Sequence, residues 1–252
     1  MKFEPILAKS FTMRTLAFLS VLLFGKAIAG YSQQDVPGDG SDVTMTRDIA
    51  SFSILHNSIS ADVVVVRGDK YQLKIEGESN VIKALATEVR DGALQFGFPG
   101  YGAIRMTRRL HITVTTPGEL SEVANSGRGS IRTDEVFKST TMRVENAGSG
   151  PIVIGLDADR LDLTLSGKGD IEVKGRAKKL ECVVSGTGNL MGGDLTIDER
   201  SEIQVSGRGS CTITTNGVID GDISGSGGIN YAGKPGMVNV GRSGSGKAHR
   251  IS

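Results

Sequence analysis

Ser166-Gly-Lys-Gly-Asp-Ile-Glu-Val173 is one of seven copies of a Gly-X-Gly corner between Ser126 and Gly246, and its reading decides the fold. The other corners are Ser126-Gly-Arg-Gly129, Ala147-Gly-Ser-Gly150, Ser185-Gly-Thr-Gly188, Ser206-Gly-Arg-Gly209, Ser224-Gly-Ser-Gly227 and Ser243-Gly-Ser-Gly246. Successive first glycines are 21, 19, 19, 21, 18 and 19 residues apart. A repeat of this length marks a solenoid, in which no copy can bury its own apolar face and each must stack on the next.

Two apolar columns flank the corner. Three residues before its leading residue stand Val123, Val144, Leu163, Cys182, Ile203, Gly221 and Val240. Two residues after its second glycine stand Ile131, Ile152, Ile171, Leu190, Cys211, Ile229 and Ala248. Alternation such as Leu161-Leu163-Leu165 has the period of two of a half-buried strand. Each rung therefore reads strand, tight corner, strand, turn and a step upward. Glycine is expected at the corner for two reasons. It reaches positive φ without the ~1–2 kcal/mol cost of a Cβ, and it lets corners stack at a spacing of ~4.8 Å. No long stretch of helical period interrupts the repeats. The sequence thus predicts an all-β, right-handed parallel β-helix-like solenoid with Gly-X-Gly rungs of about 19–21 residues.

Composition agrees: 35 of 252 residues are glycine, 5% are aromatic, and there is no tryptophan. The 38% hydrophobic content is too high and too patterned for disorder. Residues 1–29 read as a secretory signal peptide. Lys2, Lys9 and Arg14 precede an apolar run from Leu16 to Phe24, and Ala27-Ile-Ala29 offers the cleavage site. That run is too short to span a bilayer, so no transmembrane span is expected in the mature chain, and the destination is periplasmic, surface or extracellular. Removing four bases and one acid with the signal leaves 25 bases and 27 acids from totals of 29 and 28, a net charge of −2. Such a balance argues against a nucleic-acid partner. Cys182 and Cys211, one in each apolar column, read as buried free thiols acting as small hydrophobes, with a disulfide as the alternative if the fold brings their Cα atoms within ~7 Å.

Residues 30–46 read as a flexible leader, and the folded body as 47–251, with N-terminal strands over 47–116 and repeats over 117–251. Short β-branched segments such as Val63–Val66 precede an Arg67-Gly68-Asp69 turn. That tripeptide is one recognised by integrins, but a hairpin turn favours Gly-Asp in any case. Asn80–Val89 reads as one or two helical turns or as a packed loop. The order Phe52-Ser-Ile54, Val63–Val66, Arg67-Gly-Asp69, Glu88-Val-Arg-Asp-Gly-Ala-Leu94 and Ile112-Thr-Val-Thr-Thr-Pro117, followed by Ser-Gly-X-Gly repeats, resembles the head GIN domain of putative auto-transporter adhesins. Gly228-Ile229-Asn230 is similar to that family's closing signature. The resemblance implies a parallel β-helix-like fold in an exported bacterial protein, and it brings no catalytic residues with it.

The residues themselves argue against most chemistries. Gly-X-Gly binds phosphate where it opens a helix, but here strands follow. A calcium β-roll needs an aspartate in every turn, and the position after the second glycine holds Asp170 alone. His56, His111 and His249 lack metal-ligand spacing. No cofactor, metal site or catalytic residue is expected. Outward aspartates such as Asp157, Asp159, Asp162 and Asp170 keep a polysaccharide-cleaving β-helix enzyme as the alternative, with a purely structural envelope protein as another. The position X carries Arg128, Lys168 and Arg208 two rungs apart, at ~9–10 Å, a column that reads either as a solvated turn or as a grip for an acidic glycan or lipopolysaccharide. The chain is expected to be an exported, non-catalytic, adhesin-like envelope protein that binds a repeating surface ligand. Its last copy, from Ser243 on, is expected to be covered by the N-terminal strands or to self-associate weakly.

Overall fold

A computed structural model describes residues 34–251, and the signal peptide expected over residues 1–29 lies outside the described residues. The chain starts with β1 (Gln34–Pro37), β2 (Asp42–Asp48), β3 (Ile54–Asn57), β4 (Ala61–Arg67) and β5 (Gln72–Glu78). After a short helix α1 (Ser79–Ala84) come β6 (Ala86–Arg90), β7 (Ala93–Gly97), β8 (Tyr101–Arg105) and β9 (Leu110–Thr116). The repeats supply β10 (Glu122–Asn125), β11 (Ile131–Asn146), β12 (Ile152–Leu165), β13 (Ile171–Val184) and β14 (Leu190–Val205). β15 (Cys211–Thr215), β16 (Val218–Ile223), β17 (Ile229–Gly233), β18 (Met237–Arg242) and β19 (Ala248–Arg250) complete them. Stacked parallel coils form a β-solenoid of about seven turns, about 19 residues apart.

The two apolar columns of the sequence are the two hydrogen-bonded ladders of the solenoid. Before the corner, Val123, Val144, Leu163, Cys182, Ile203, Gly221 and Val240 pair in succession. After it, Ile131, Ile152, Ile171, Leu190, Cys211, Ile229 and Ala248 do the same. Except at the last coil and at Gly221, these side chains lie in the core. Long strands such as β12 carry both columns, because one strand leaves one corner and enters the next.

The N-terminal strands enter the stack out of sequence order. β3 lies between β7 and β10, and β4 between β9 and β11, all parallel. Beyond them, antiparallel pairings of β5 with β9 and β2, and of β6 with β7, occupy the edges that a bare coil would leave open. This corrects the expectation that these strands cover the last copy. They stand at the opposite end, and among the described residues β18 and β19 pair with the stack on one side only, with β16 and β17.

The reading of residues 30–46 as a flexible leader is also corrected. From Gln34 on, this stretch holds β1, parallel to β8, and β2, antiparallel to β5. Two polar clamps fix it. The buried Glu78 carboxylate accepts the Gly40 N–H at 2.8 Å and the Thr107 N–H at 2.9 Å. The Arg47 guanidinium donates to the carbonyls of Ile82 and Leu85, both at 2.8 Å.

Candidate functional site

In every corner the leading residue and X are exposed and the second glycine is buried. Neither corner glycine has positive φ; that conformation falls at Gly40, Gly77, Gly92, Gly100, Gly175 and Gly233. The expectation of left-handed corners is therefore corrected, and close stacking is the whole reason for glycine. A Cβ on Gly148, Gly167, Gly186, Gly207, Gly225 or Gly244 would overlap the carbonyl oxygen of the first glycine one coil back. Ser58-Ile59-Ser60-Ala61 forms a further corner beneath Gly127 and Gly129, without any glycine. The sequence motif missed it. Ile59 is tolerated there and packs against the core, because the chain between β7 and β9 forms no corner below it.

Hydrogen bonds run along the stack. The N–H groups of Ser149, Lys168, Thr187, Arg208 and Ser226 donate at 3.0–3.1 Å to the first-glycine carbonyl one coil back. They are thus used within the stack and form no anion-binding nest. Inside the corner, Asn125 Nδ2 donates to the carbonyls of Gly129 and Gly150, and Asn146 Nδ2 to those of Gly150 and Asp170. Later coils put Leu165, Val184, Val205 and Ile223 in this position. The position scanned for calcium ligands has another task. Asp170 Oδ1 accepts the Asn189 N–H at 2.7 Å, and Asn189 Oδ1 accepts the Ser210 N–H at 3.1 Å.

The corners together form a groove of ≈ 910 Å³ along the stacking direction. Its floor is the column of first glycines, Gly127, Gly148, Gly167, Gly186 and Gly207. One wall is Ser58, Ser126, Ala147, Ser166, Ser185 and Ser206; the other is Ser60, Arg128, Ser149, Lys168, Thr187, Arg208 and Ser226. All three cations singled out from the sequence therefore lie on one wall, at every second coil, ~9.6 Å apart by the strand spacing. Among the described residues none of the three is in an ion pair.

Among the described residues, Asp157 and Asp159 border one shallow cleft with Glu119 and Lys138, and the other candidates lie apart from it. Asp162 pairs with Arg160 at 2.8 Å, Asp159 with Lys178 at 2.6 Å, and Asp170 serves the backbone. His56 Nε2 lies 2.9 Å from Glu122 Oε1, a contact that, with the Arg143 guanidinium, holds the Glu122 carboxyl below its ordinary value despite burial. Burial and the neighbouring Glu122 push the Glu145 carboxyl upward. Among the described residues no three His, Cys, Asp or Glu side chains are grouped to hold a metal. The Arg-Gly-Asp turn is tied down at Arg67, whose guanidinium lies 4.6 Å over the Phe137 ring and 3.8 Å from Glu135. Among the described residues no helix is long and apolar enough to cross a membrane.

A family model described as "Putative auto-transporter adhesin, head GIN domain" matches residues 51–235. The chain belongs to this head GIN domain family. Its fold is shared by crystal structures of low sequence identity. A "putative adhesin" from Bacteroides fragilis superposes with a TM-score of 0.80 at 22% identity, over 86% of this chain and 100% of that one. A "putative lipid binding protein" from Parabacteroides distasonis gives 0.70 at 23%, over 87% and 100%. A "putative adhesin" from Parabacteroides merdae gives 0.73 at 20%, again over 87% and 100%. No curated protein matches the chain. Gly228-Ile229-Asn230, which resembles the head GIN signature, leads into β17, where Ile229 fills the core column; just before the strand the Gly228 N–H donates to Ser210 Oγ at 3.2 Å.

Proposed function

We propose that this head GIN domain protein is an exported, non-catalytic, adhesin-like module of the cell envelope that holds an extended acidic glycan along the corner groove. One observation carries the reading: a continuous groove with hydroxyls on both walls and three cations, free of ion pairs, at every second coil. A groove with a repeating wall suits a repeating polymer, because each coil adds a weak contact and the contacts act together. Hydroxyl walls match sugar hydroxyls, and Arg128, Lys168 and Arg208 match carboxylates that recur along an extended chain. Membership of an adhesin family supports a surface or exported location.

The test is binding of the purified chain to an immobilised polyuronate and to neutral dextran across a salt series. The polyuronate is expected to bind, and to weaken steeply as salt screens the exposed charges. Replacing Arg128, Lys168 and Arg208 together by alanine is expected to weaken binding about tenfold or more, at roughly 0.5–1 kcal/mol for each exposed charge. Ser185→Trp, which obstructs the groove without changing its charge, is expected to weaken it as well. Binding that ignores both salt and these changes rejects the groove, and release of shortened oligosaccharides favours the polysaccharide-cleaving alternative.

A further inference from the structure

The chain has two cysteines, and the fold brings them together. Cys182 on β13 precedes one corner, and Cys211 on β15 follows the next corner along the stack. Their side chains meet across the core with the sulfurs 3.7 Å apart, and both are buried and unbridged. A buried residue touches about 6–12 others, so two cysteines scattered at random over 218 described positions would meet at most about one time in twenty. Packing alone does not call for the pair, since other coils fill the same two columns with Val, Leu, Ile, Gly or Ala.

We propose that Cys182 and Cys211 are joined by a disulfide bond formed as the chain folds, a staple linking the two ladders across the core. The sulfurs need to approach by about 1.7 Å to reach a bond length of about 2.05 Å, a movement divided between two side chains. The oxidant is a disulfide of a protein or small-molecule thiol, the currency of an exported protein's compartment. One cysteine thiolate attacks it, giving a mixed disulfide and releasing one thiol. The second thiolate attacks the mixed disulfide and releases the other thiol. The protein thereby loses two electrons and two protons, and the oxidant gains them. Contact with Cys182 and burial push the Cys211 thiol well up, so the exchange belongs to the stage before the core closes.

The test is to refold the full chain from denaturant in a buffer of oxidised and reduced glutathione, then digest it without reduction. The expected product is one peptide pair linking Cys182 to Cys211 within a single chain, separated by reductant. Reduction is expected to lower the thermal midpoint by about 5 °C or more, since the bridge closes a long loop in the unfolded chain. The Cys182→Ala, Cys211→Ala double variant is expected to melt at one temperature with or without reductant. Recovery of both cysteines as free thiols after oxidative refolding overturns the proposal, as does a link found only between two chains. If the double variant fails to fold, the peptide map of the unaltered chain still decides. The experiment contains no glycan, so its outcome is independent of the groove.

Discussion

The corner column and the strand face just before it both stack cations in parallel register, yet those charges meet different surroundings. On the strand face, Arg160 reaches Asp162 and Glu181, Lys179 reaches Glu199, and Arg200 reaches Glu202 and Asp220. A basic ladder there stands beside an acidic one, so each cation has carboxylates on its own coil or the next. At the corner, Arg128, Lys168 and Arg208 stand among glycines and hydroxyls, with the Arg109 guanidinium donating to the Arg128 carbonyl at 3.4 Å. The strand face uses its charge within the molecule, whereas the three corner cations are in no ion pair among the described residues. A ladder of cations is therefore informative only together with the columns on either side of it.

The largest expected effect is the one that weakens both regions alike. Leu163, 2% exposed in the core column, is expected to cost about 2–5 kcal/mol on replacement by alanine, through the cavity left behind. Chemical denaturation measures this, and a loss below about 0.5 kcal/mol would mean the column is not core. Next comes Gly186→Ala, which places a Cβ against the Gly167 carbonyl. Because backbone must move, about 3 kcal/mol is expected, although the position needs no unusual φ. A neutral result would break the claim that close stacking alone demands glycine at the corner.

A smaller effect separates the strand face by pH. The His56 hydrogen bond comes first among the influences that hold the Glu122 carboxyl below its ordinary value of 4.5; burial opposes it, and His56 and Arg143 charges assist. A depressed folded pKa contributes stability that is fully present above pH 4.5 and lost as pH falls through the folded value. Glu122→Gln is expected to cost about 1–2 kcal/mol at neutral pH, discounted for partial exposure, and to remove this group's share of the acid loss. Denaturation curves between neutral and acidic pH read both. The smallest expected effect sharpens the comparison most. Arg200→Ala, which breaks exposed pairs, is expected to cost under about 1 kcal/mol, and that cost shrinks with salt. Arg208→Ala is expected to leave stability unchanged at every salt concentration, because it removes no ion pair.

Much of this architecture was legible in the chain. The spacing from Gly127 to Gly244 states the length of a coil, and the columns through Leu163 and Ile171 state which side chains face inward. The position of Arg128, Lys168 and Arg208 on one column followed from the same alignment. Other parts left no local trace. Ser58-Ile59-Ser60 is a corner without glycine, since among the described residues no corner lies beneath it to exclude a side chain. Residues 34–46 looked like a leader because their clamps, Glu78 and Arg47, act across distant segments of sequence.

The chain by itself determined the period, the two core columns and the need for glycine, because each depends on neighbours 18–21 residues away along the chain. Only the tertiary structure decided that β3 and β4 lie between strands later in sequence, that Cys182 meets Cys211, and that the corner is concave. The last fact turns three aligned cations into one wall of a groove. The physical reason is common to all three: pairing across the stack and across the core is set by which coil lies against which, and local alternation carries no record of that order.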